Sequence, residues 1–273
     1  MKRILILSIL SLSLCKSYAQ DSRYNSVQLA WGIGNIMRQD LTLSPFVHED
    51  WSLVNAYLNY SRSKKLEQQI TLKIGLYDPF GTKPYEFTSF YNGTSTTIPH
   101  SFKMLDIDYS LGKELFHKTK WSFVLGGKSR NFIYASDYYF GESGPSPVSI
   151  SFGLGIWLKA VYWLNEKNYI ISNLSAPAVS YVYRNPYLTQ DDEYFENIYS
   201  HNGFKEFASR IADGELRSWG KVQQVEFDIH YGYSINHRWD IGISYLFSMN
   251  LNQHPAQFTQ FENTFLFGGK IKF

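Results

Sequence analysis

Two neighbouring stretches of the sequence alternate between apolar and polar residues, and this alternation limits the fold more than any other feature. Between residues 224 and 235 the odd positions are apolar or aromatic, whereas the even positions are polar or glycine. Residues 239–249 largely repeat the pattern after a gap of three residues, Asn236 to Arg238. Successive side chains of a β-strand point to opposite faces, so a period of two predicts strands with different surroundings on their two faces. The two stretches are predicted to form a β-hairpin.

Eight further stretches alternate in the same way, which brings the predicted strands to ten. Pro177 interrupts the seventh, and the apolar parity slips between Ala176 and Val179, which predicts a β-bulge. The stretches are about 10 to 16 residues long. A tilted strand crossing a ~25 Å apolar band needs about 9 to 11 residues, whereas a soluble sandwich uses about 5 or 6. The predicted strands are residues 26–37, 52–62, 68–77, 102–113, 120–132, 148–163, 169–183, 222–235, 239–249 and 261–273.

The connections between these strands alternate between short and long. Short turns at one end and long loops at the other are typical of outer-membrane barrels, in which the short turns face the periplasm. The sequence therefore predicts an all-β fold, an antiparallel up-and-down transmembrane β-barrel of about ten strands within a range of eight to twelve. An even number of strands predicts that both termini are periplasmic. The short connections are residues 63–67, 114–119, 165–168 and 236–238, and the long ones are residues 38–51, 78–101, 133–147, 184–221 and 250–260.

Residues 1–19 have the pattern of a secretion signal. Lys2 and Arg3 precede the apolar stretch Ile4 to Leu14, and a small-x-small cleavage site ends at Ala19. We therefore predict export through the Sec route and a single barrel domain over residues 20–273. An uncleaved anchor and a lipoprotein modified at Cys15 are the alternatives.

The composition excludes several functional classes. Of the 26 Lys and Arg residues three lie in the signal, which leaves 23 against 24 acidic residues, so no basic surface for nucleic acid is expected. Cys15 is the only cysteine, so the mature chain has no disulfide, thiol nucleophile or Cys-based metal site. No nucleotide-binding or zinc-protease motif is present, and neither a metal nor another cofactor is expected. Aromatic residues reach 18%, which suits membrane interfaces.

The C-terminal residues 261–273 resemble the terminal targeting strand of Gram-negative outer-membrane β-barrel proteins. That strand has aromatic residues at alternate positions and ends in Phe. The resemblance implies that the protein resides in the outer membrane, contacts its lipids, and is recognised by periplasmic chaperones and the barrel-assembly machinery. Asn263 and Gly269 depart from the pattern on the lipid-facing parity. The residues that carry the resemblance are Phe265, Phe267, Ile271 and Phe273.

The inward parity carries an unusual number of charged residues. A barrel of this size has a narrow interior that side chains can fill, and buried charges are tolerated when they are paired. One interpretation is therefore that these acids and bases pair with one another and block the lumen. The other is that some of them form a reactive cluster or line a narrow channel. The inward charges are Lys73, Asp106, Asp108, Lys128, Arg130, Lys159, Glu226, Asp228, His230, Asp240, Glu262 and Lys270.

Two pairs among these residues have the chemistry of a hydrolase. Asp106 and Asp108 share one strand face, as do Asp228 and His230, and together they could activate a water. The pairs are similar to those of the omptins, ten-stranded outer-membrane proteases with an Asp pair and an Asp-His pair. By that resemblance Asp106 and Asp108 would position or activate the water, Asp228 would orient the imidazole, and His230 would act as the base.

The predicted depth of these pairs differs from that of the omptins. Omptin pairs belong at the extracellular rim, whereas Asp228 and His230 precede a short turn at Ile235 by only a few residues. With a rise of ~3.3 Å per residue reduced by tilt, they lie roughly 12 to 18 Å from the periplasmic end. A polypeptide outside the cell would not reach that depth.

The longest connection, 184–221, contains a predicted amphipathic helix at about 203–213. Phe204, Phe207 and Ile211 follow helical spacing, Asn202 suits a helix start and Gly214 suits its end. The helix is a candidate lid over the barrel mouth or a ligand-binding surface, and packing on neighbouring loops is the simpler alternative.

Three functions remain compatible with the sequence. The first is a non-enzymatic barrel whose outer loops bind a ligand or partner, or which supports the envelope. The second is a narrow, porin-like channel. The third is a membrane-embedded hydrolase that uses Asp106, Asp108, Asp228 and His230.

Overall fold

The computed structural model describes residues 25–78, 86–89, 93–96, 100–137, 147–184 and 203–273, and its main feature is a closed antiparallel barrel. Ten strands pair in sequence order, and the first pairs with the last, which closes the barrel. The predicted ten-stranded up-and-down barrel is thus confirmed. The predicted signal, residues 1–19, lies outside the described residues. The strands are β1 (Asn25–Asp40), β2 (Ser44–Ser63), β3 (Glu67–Asp78), β4 (Glu86–Ser89), β5 (Gly93–Thr96), β6 (Ser101–Lys118), β7 (Trp121–Asp137), β8 (Val148–Trp163), β9 (Asn168–Arg184), β10 (Glu215–Ser218), β11 (Val222–Ser234), β12 (Trp239–Asn252) and β13 (Phe258–Lys272).

Three of these strands are not full members of the barrel wall. The short strands β4 and β5 form a separate hairpin. Strand β10 pairs with residues 179–182 of β9, and β11 pairs with residues 168–175 of β9. The two strands therefore pair with successive parts of the same strand. The helix α1 (Gly203–Ala212) precedes β10 and falls within the predicted range of 203–213.

Two predicted long loops are wrong. Strand β1 continues to Asp40 and β2 begins at Ser44, so the predicted loop at 38–51 is mostly strand. The predicted loop at 250–260 shrinks in the same way to residues 253–257. These strand ends lose the strict alternation because they extend beyond the region where one face meets lipid, and polar residues are then tolerated on both faces.

The predicted bulge in β9 is confirmed. The register between β8 and β9 shifts between Leu154 and Gly155, which pair with Val179 and Pro177, so Ala178 is the extra residue. The backbone N–H of Trp219 donates to the carbonyl of Ala178 at 3.1 Å, which satisfies the oxygen that the bulge leaves unpaired.

Alternate residues divide between an apolar outer surface and a polar lumen. On β13 Phe265 and Phe267 are exposed, whereas Leu266 between them is buried, and Ile271 and Phe273 are exposed as well. A soluble protein has the opposite distribution, with charged groups outside. The fold therefore has the surface of a barrel that lies in lipid. Among the described residues no helix has the length and hydropathy needed to cross a membrane.

The polar residue Asn263, which departs from the aromatic pattern of the last strand, is accommodated by its neighbour. The hydroxyl of Tyr245 on β12 donates to Asn263 Oδ1 at 2.7 Å. The amide therefore has a partner on the outer surface and is not left unsatisfied in an apolar setting.

The apolar belt on the outer surface has limits that can be read along β8. At the lower limit Tyr162 packs on Trp121 of β7 with ring centroids 4.3 Å apart. The exposed Phe152 marks the upper limit, and Leu154 and Ile156 are exposed between them. Ten residues at ~3.3 Å with a tilt of ~40° span about 25 Å, the height of the apolar band in outer-membrane barrels.

Two adjacent glycines in β7 differ in how closely the neighbouring strand approaches them. A Cβ at Gly126 would lie 2.1 Å from the carbonyl oxygen of Leu111 on β6, whereas one at Gly127 would meet only the oxygen of Gly155, at 3.6 Å. We expect Gly126→Ala to lower the free energy of unfolding by about 1 to 3 kcal/mol, because the strands must separate. Urea unfolding in detergent micelles measures this, with Gly127→Ala as the control. Equal effects of the two substitutions would contradict the close approach.

Candidate functional site in the barrel lumen

A cluster of six paired charges crosses the middle of the lumen. Glu226 of β11 forms ion pairs with Lys73 of β3 and Lys128 of β7, and lies 3.5 Å from Arg130 Nε. Because β11 and β3 are not neighbours in the barrel, these contacts run from one wall to the other. The central ion cluster consists of Lys73, Asp106, Asp108, Lys128, Arg130 and Glu226.

The remaining two carboxylates of the central ion cluster come from β6. Lys73 Nζ lies 3.5 Å from Asp106 Oδ2 and 3.6 Å from Asp108 Oδ2, and Lys128 Nζ lies 2.9 Å from the same oxygen of Asp108. The cluster thus has three cations and three anions. Strand register explains the arrangement, because Lys73 pairs with Asp106 and Asp108 pairs with Arg130 across adjacent strands.

A polar cavity of about 60 Å³ adjoins the central ion cluster. Asp228 borders it and accepts a hydrogen bond from Asn173 Nδ2 at 2.8 Å. Glu262 also borders it and accepts from the Tyr77 hydroxyl at 2.8 Å. A cavity of this size has room for water, since one water requires roughly 10 to 15 Å³. Asp106 Oδ1 has no hydrogen-bond partner among the described residues.

Further ion pairs and hydrogen bonds lie in the lumen between the central ion cluster and the short turns. Lys159 of β8 forms an ion pair with Glu67 of β3. Closer to the short turns, Lys272 Nζ lies 2.7 Å from Asp240 Oδ2, and the Tyr169 hydroxyl donates to the same oxygen at 2.7 Å. The lumen is therefore bridged by Lys159 and Glu67 between the central ion cluster and the short turns, whereas Lys272, Asp240 and Tyr169 join nearby strands of one wall.

The opposite end of the lumen is bridged by an arginine stack, the side chains Phe102, Arg38, Phe258 and Arg184. The Arg38 guanidinium lies 4.9 Å from the ring centroids of both Phe102 and Phe258, and the Arg184 guanidinium lies 4.9 Å from the Phe258 ring centroid. Arg184 also donates to Asp40 Oδ1 at 2.7 Å. Cation–π contacts of this kind strengthen when they are removed from water.

Sequence reasoning missed the arginine stack and the role of Tyr77. Arg38 and Phe258 were expected in loops, and Tyr77 is a buried lumen residue that bonds Glu262. In the structure the inward parity of β1 continues from Ile36 through Arg38, which are both buried, beyond the point where the sequence stops alternating.

The four residues of the hydrolase hypothesis fall into separate surroundings. Asp106 and Asp108 belong to the central ion cluster, and Asp228 borders the adjoining cavity. His230 instead contacts Ser244 Oγ through Nδ1 at 2.8 Å. Within the described part of the chain, no hydrogen bond or ion pair joins His230 to the three aspartates.

The described residues contain no group of three or more His, Cys, Asp or Glu side chains arranged to hold a metal ion. The charges of the central ion cluster are instead directed at one another. What the arrangement can do chemically is to hold opposite walls of the barrel together through paired charges.

Comparison with known proteins identifies a fold and no family. No protein-family model matches the chain, and no curated protein matches it. The solved structure of the outer membrane protease OmpT from Escherichia coli is similar in fold, with a TM-score of 0.53, 6% identity, and coverage of 94% of this chain and 99% of that one. Neisserial surface protein A aligns with a TM-score of 0.35, 11% identity, and coverage of 91% and 97%. The beta domain of the Bordetella autotransporter BrkA aligns with a TM-score of 0.40, 10% identity, and coverage of 93% and 100%.

Proposed function

We propose that this protein is an integral outer-membrane barrel that does not conduct, and whose wall supports the long connections at one end for binding a ligand or partner or for supporting the envelope. The single observation that carries this proposal is the series of contacts across the lumen. The central ion cluster, the Lys159–Glu67 pair and the arginine stack bridge opposite walls at successive heights. Paired charges at these depths favour a closed lumen over an ion path.

The proposed orientation places the short turns and both termini in the periplasm. Three observations support it: every connection at one end of the barrel is short whereas the long connections 79–100, 138–147 and 185–221 share the other end, Asn25 and Phe273 bond to each other at the end with only short turns, and outer-membrane barrels have periplasmic turns that are short. The proposal includes delivery by periplasmic chaperones and the barrel-assembly machinery, for which the alternating aromatic residues of β13 are the recognition signal.

Conductance in planar bilayers separates the closed barrel from the channel alternative. We expect the refolded protein to give no steady single-channel openings, because paired charges that meet across the lumen favour a closed interior. Heat-modifiable migration on detergent gels should first show that the sample is folded, and a porin inserted in the same bilayer serves as the positive control. Steady openings of the folded protein would overturn the proposal in favour of a narrow channel.

Hydrolysis assays with the same sample test the enzyme alternative. We expect no cleavage of peptide or lipid substrates that depends on His230, because its imidazole contacts Ser244 and none of the three aspartates. The measurement compares the wild type with His230→Ala over a panel of both substrate types. A hydrolytic rate that the substitution abolishes, with folding unchanged, would establish the hydrolase instead.

A further inference from the structure

The helix α1 turns its apolar side away from the barrel. Phe204, Phe207, Ala208 and Ile211 have the spacing i, i+3, i+4, i+7 and therefore share one side of the helix. Phe204 is 81% exposed, Phe207 and Ala208 are also exposed, and Ile211 is half-buried. A helix usually packs its apolar side on the protein, so this side needs another partner.

The polar side of α1 attaches the helix to the barrel. Arg210 is buried, its guanidinium lies 6.0 Å from the Tyr183 ring centroid, and its NH1 donates to the Tyr183 hydroxyl at 3.3 Å. The Tyr181 hydroxyl donates to the carbonyl of Ile211 at 2.6 Å. A Cβ at Gly214 would lie 2.4 Å from the Tyr181 ring, so the chain after the helix lies directly on that ring. These contacts fix which side of α1 faces outward.

Strand parity shows that α1 lies on the outer surface of the barrel. Ser180, Val182 and Arg184 of β9 are buried on the lumen side. Tyr181 and Tyr183 alternate with them and therefore point outward. Tyr183 is nevertheless only 3% exposed, which fits its cover by Arg210. The helix is thus not a lid over the lumen, which was one of the predicted alternatives.

The apolar side of α1 meets the upper limit of the apolar belt. Tyr181 pairs with Phe152, the residue that marks this limit. It also pairs with Leu216 of β10, which is 71% exposed and shares the outward parity. The C-terminal end of α1, which bonds Tyr181 through the Ile211 carbonyl, is therefore attached at the level of Phe152, where the apolar belt ends.

We propose that α1 is an interfacial membrane anchor, and that its apolar side inserts at the boundary between headgroups and acyl chains of the outer leaflet. The inference rests on the proposed function, because it requires the apolar belt to lie in the membrane. Attachment of α1 at the level where the belt ends selects lipid as the occupant of the exposed side. Amphipathic helices bury their apolar side ~5 to 10 Å into this boundary, and α1 lies at the level where the boundary is expected.

Quenching by nitroxide lipids tests the anchor. The chain from Gln20 onward contains no cysteine, so single cysteines can be introduced, labelled with bimane and refolded into phosphatidylcholine vesicles that carry a shallow or a deep nitroxide. For Phe204→Cys we expect quenching at least about twofold stronger than for Lys205→Cys, the adjacent position outside the apolar side, and stronger from the shallow probe than from the deep one. Ile156→Cys, in the middle of the belt, provides the reference for deep quenching.

Quenching of Ile156→Cys distinguishes a failure of the helix anchor from a failure of the proposed membrane location of the barrel. If Ile156→Cys is quenched but Phe204→Cys is quenched no more than Lys205→Cys, the anchor is wrong and the membrane barrel stands. If Ile156→Cys is not quenched in protein that is folded by heat-modifiable migration, the proposed membrane location itself fails. Disulfide cross-linking of Phe204→Cys between molecules, without quenching, would identify a second copy as the occupant and overturn the lipid anchor.

Discussion

Replacing Glu226 by Gln is expected to lower the free energy of unfolding by about 3 to 5 kcal/mol, the range seen when one partner of a buried ion pair is removed. Glu226 is the only carboxylate among the described residues that contacts Lys73, Lys128 and Arg130 together. Gln keeps the shape of the side chain but not its charge. Three cations then face two aspartates in a narrow lumen, and their repulsion is no longer balanced.

Urea unfolding in detergent micelles measures the effect, and Glu262→Gln is the matched control. Glu262 also lies in the lumen, but it accepts a hydrogen bond from the Tyr77 hydroxyl, which the Gln oxygen can still accept. Its replacement should therefore cost under about 1 kcal/mol. Adding Lys128→Gln to Glu226→Gln should recover part of the lost stability, because it removes one unbalanced cation. Equal losses for the two single variants would show that the central ion cluster does not act as a unit.

Alternation in the sequence was sufficient to predict the barrel because lipid and lumen are such different surroundings. In residues 224–235 every side chain faces either lipid or lumen and its polarity matches that surrounding. The number of strands, their inward and outward faces, and the positions of the short turns could therefore be predicted from this pattern. The strand ends around Arg38 and Phe258 carry no such signal, because neither face meets lipid there. That is why the predicted loops at 38–51 and 250–260 were too long.

Contacts across the lumen were beyond prediction for a different reason. Parity states that Glu226 and Lys73 both point inward, but not that they meet at the same height. Height depends on the register of every strand between them and on how the barrel closes. The sequence could therefore indicate that the inward charges pair, and could not indicate which ones do.

The helix α1 shows the same limit at a smaller scale. Spacing of Phe204, Phe207 and Ile211 predicted a helix, and the usual rule places such a side against the protein. Instead, the outward hydroxyl of Tyr181 donates to the carbonyl of Ile211, and that of Tyr183 accepts from Arg210. Those tyrosines lie in a different strand, so the orientation of the helix depended on a contact that helical spacing does not contain.

Replacing Arg184 by Met is expected to destabilise the end of the barrel that carries the long connections by about 3 kcal/mol, because Asp40 would keep its buried charge and lose its closest cation. Met retains an unbranched apolar chain against Phe258, so packing changes little. Arg184 NH1 also donates to the carbonyls of His254 and Ala256, at 2.7 and 2.9 Å. Its loss should therefore release the connection at residues 253–257 as well.

Hydrogen exchange distinguishes this release from a general loss of stability. Exchange of the Leu41 amide, which bonds to the carbonyl of Gln257, should accelerate more in Arg184→Met than that of amides in the middle of β12. Arg38→Met is the matched control: it removes the other arginine of the stack, whose NH2 lies at the longer distance of 4.0 Å from Asp40 Oδ2, and leaves the Arg184–Asp40 pair and the bonds of Arg184 to residues 254 and 256 intact. If Arg38→Met releases residues 253–257 as strongly, the hydrogen bonds of Arg184 are not what holds this connection in place.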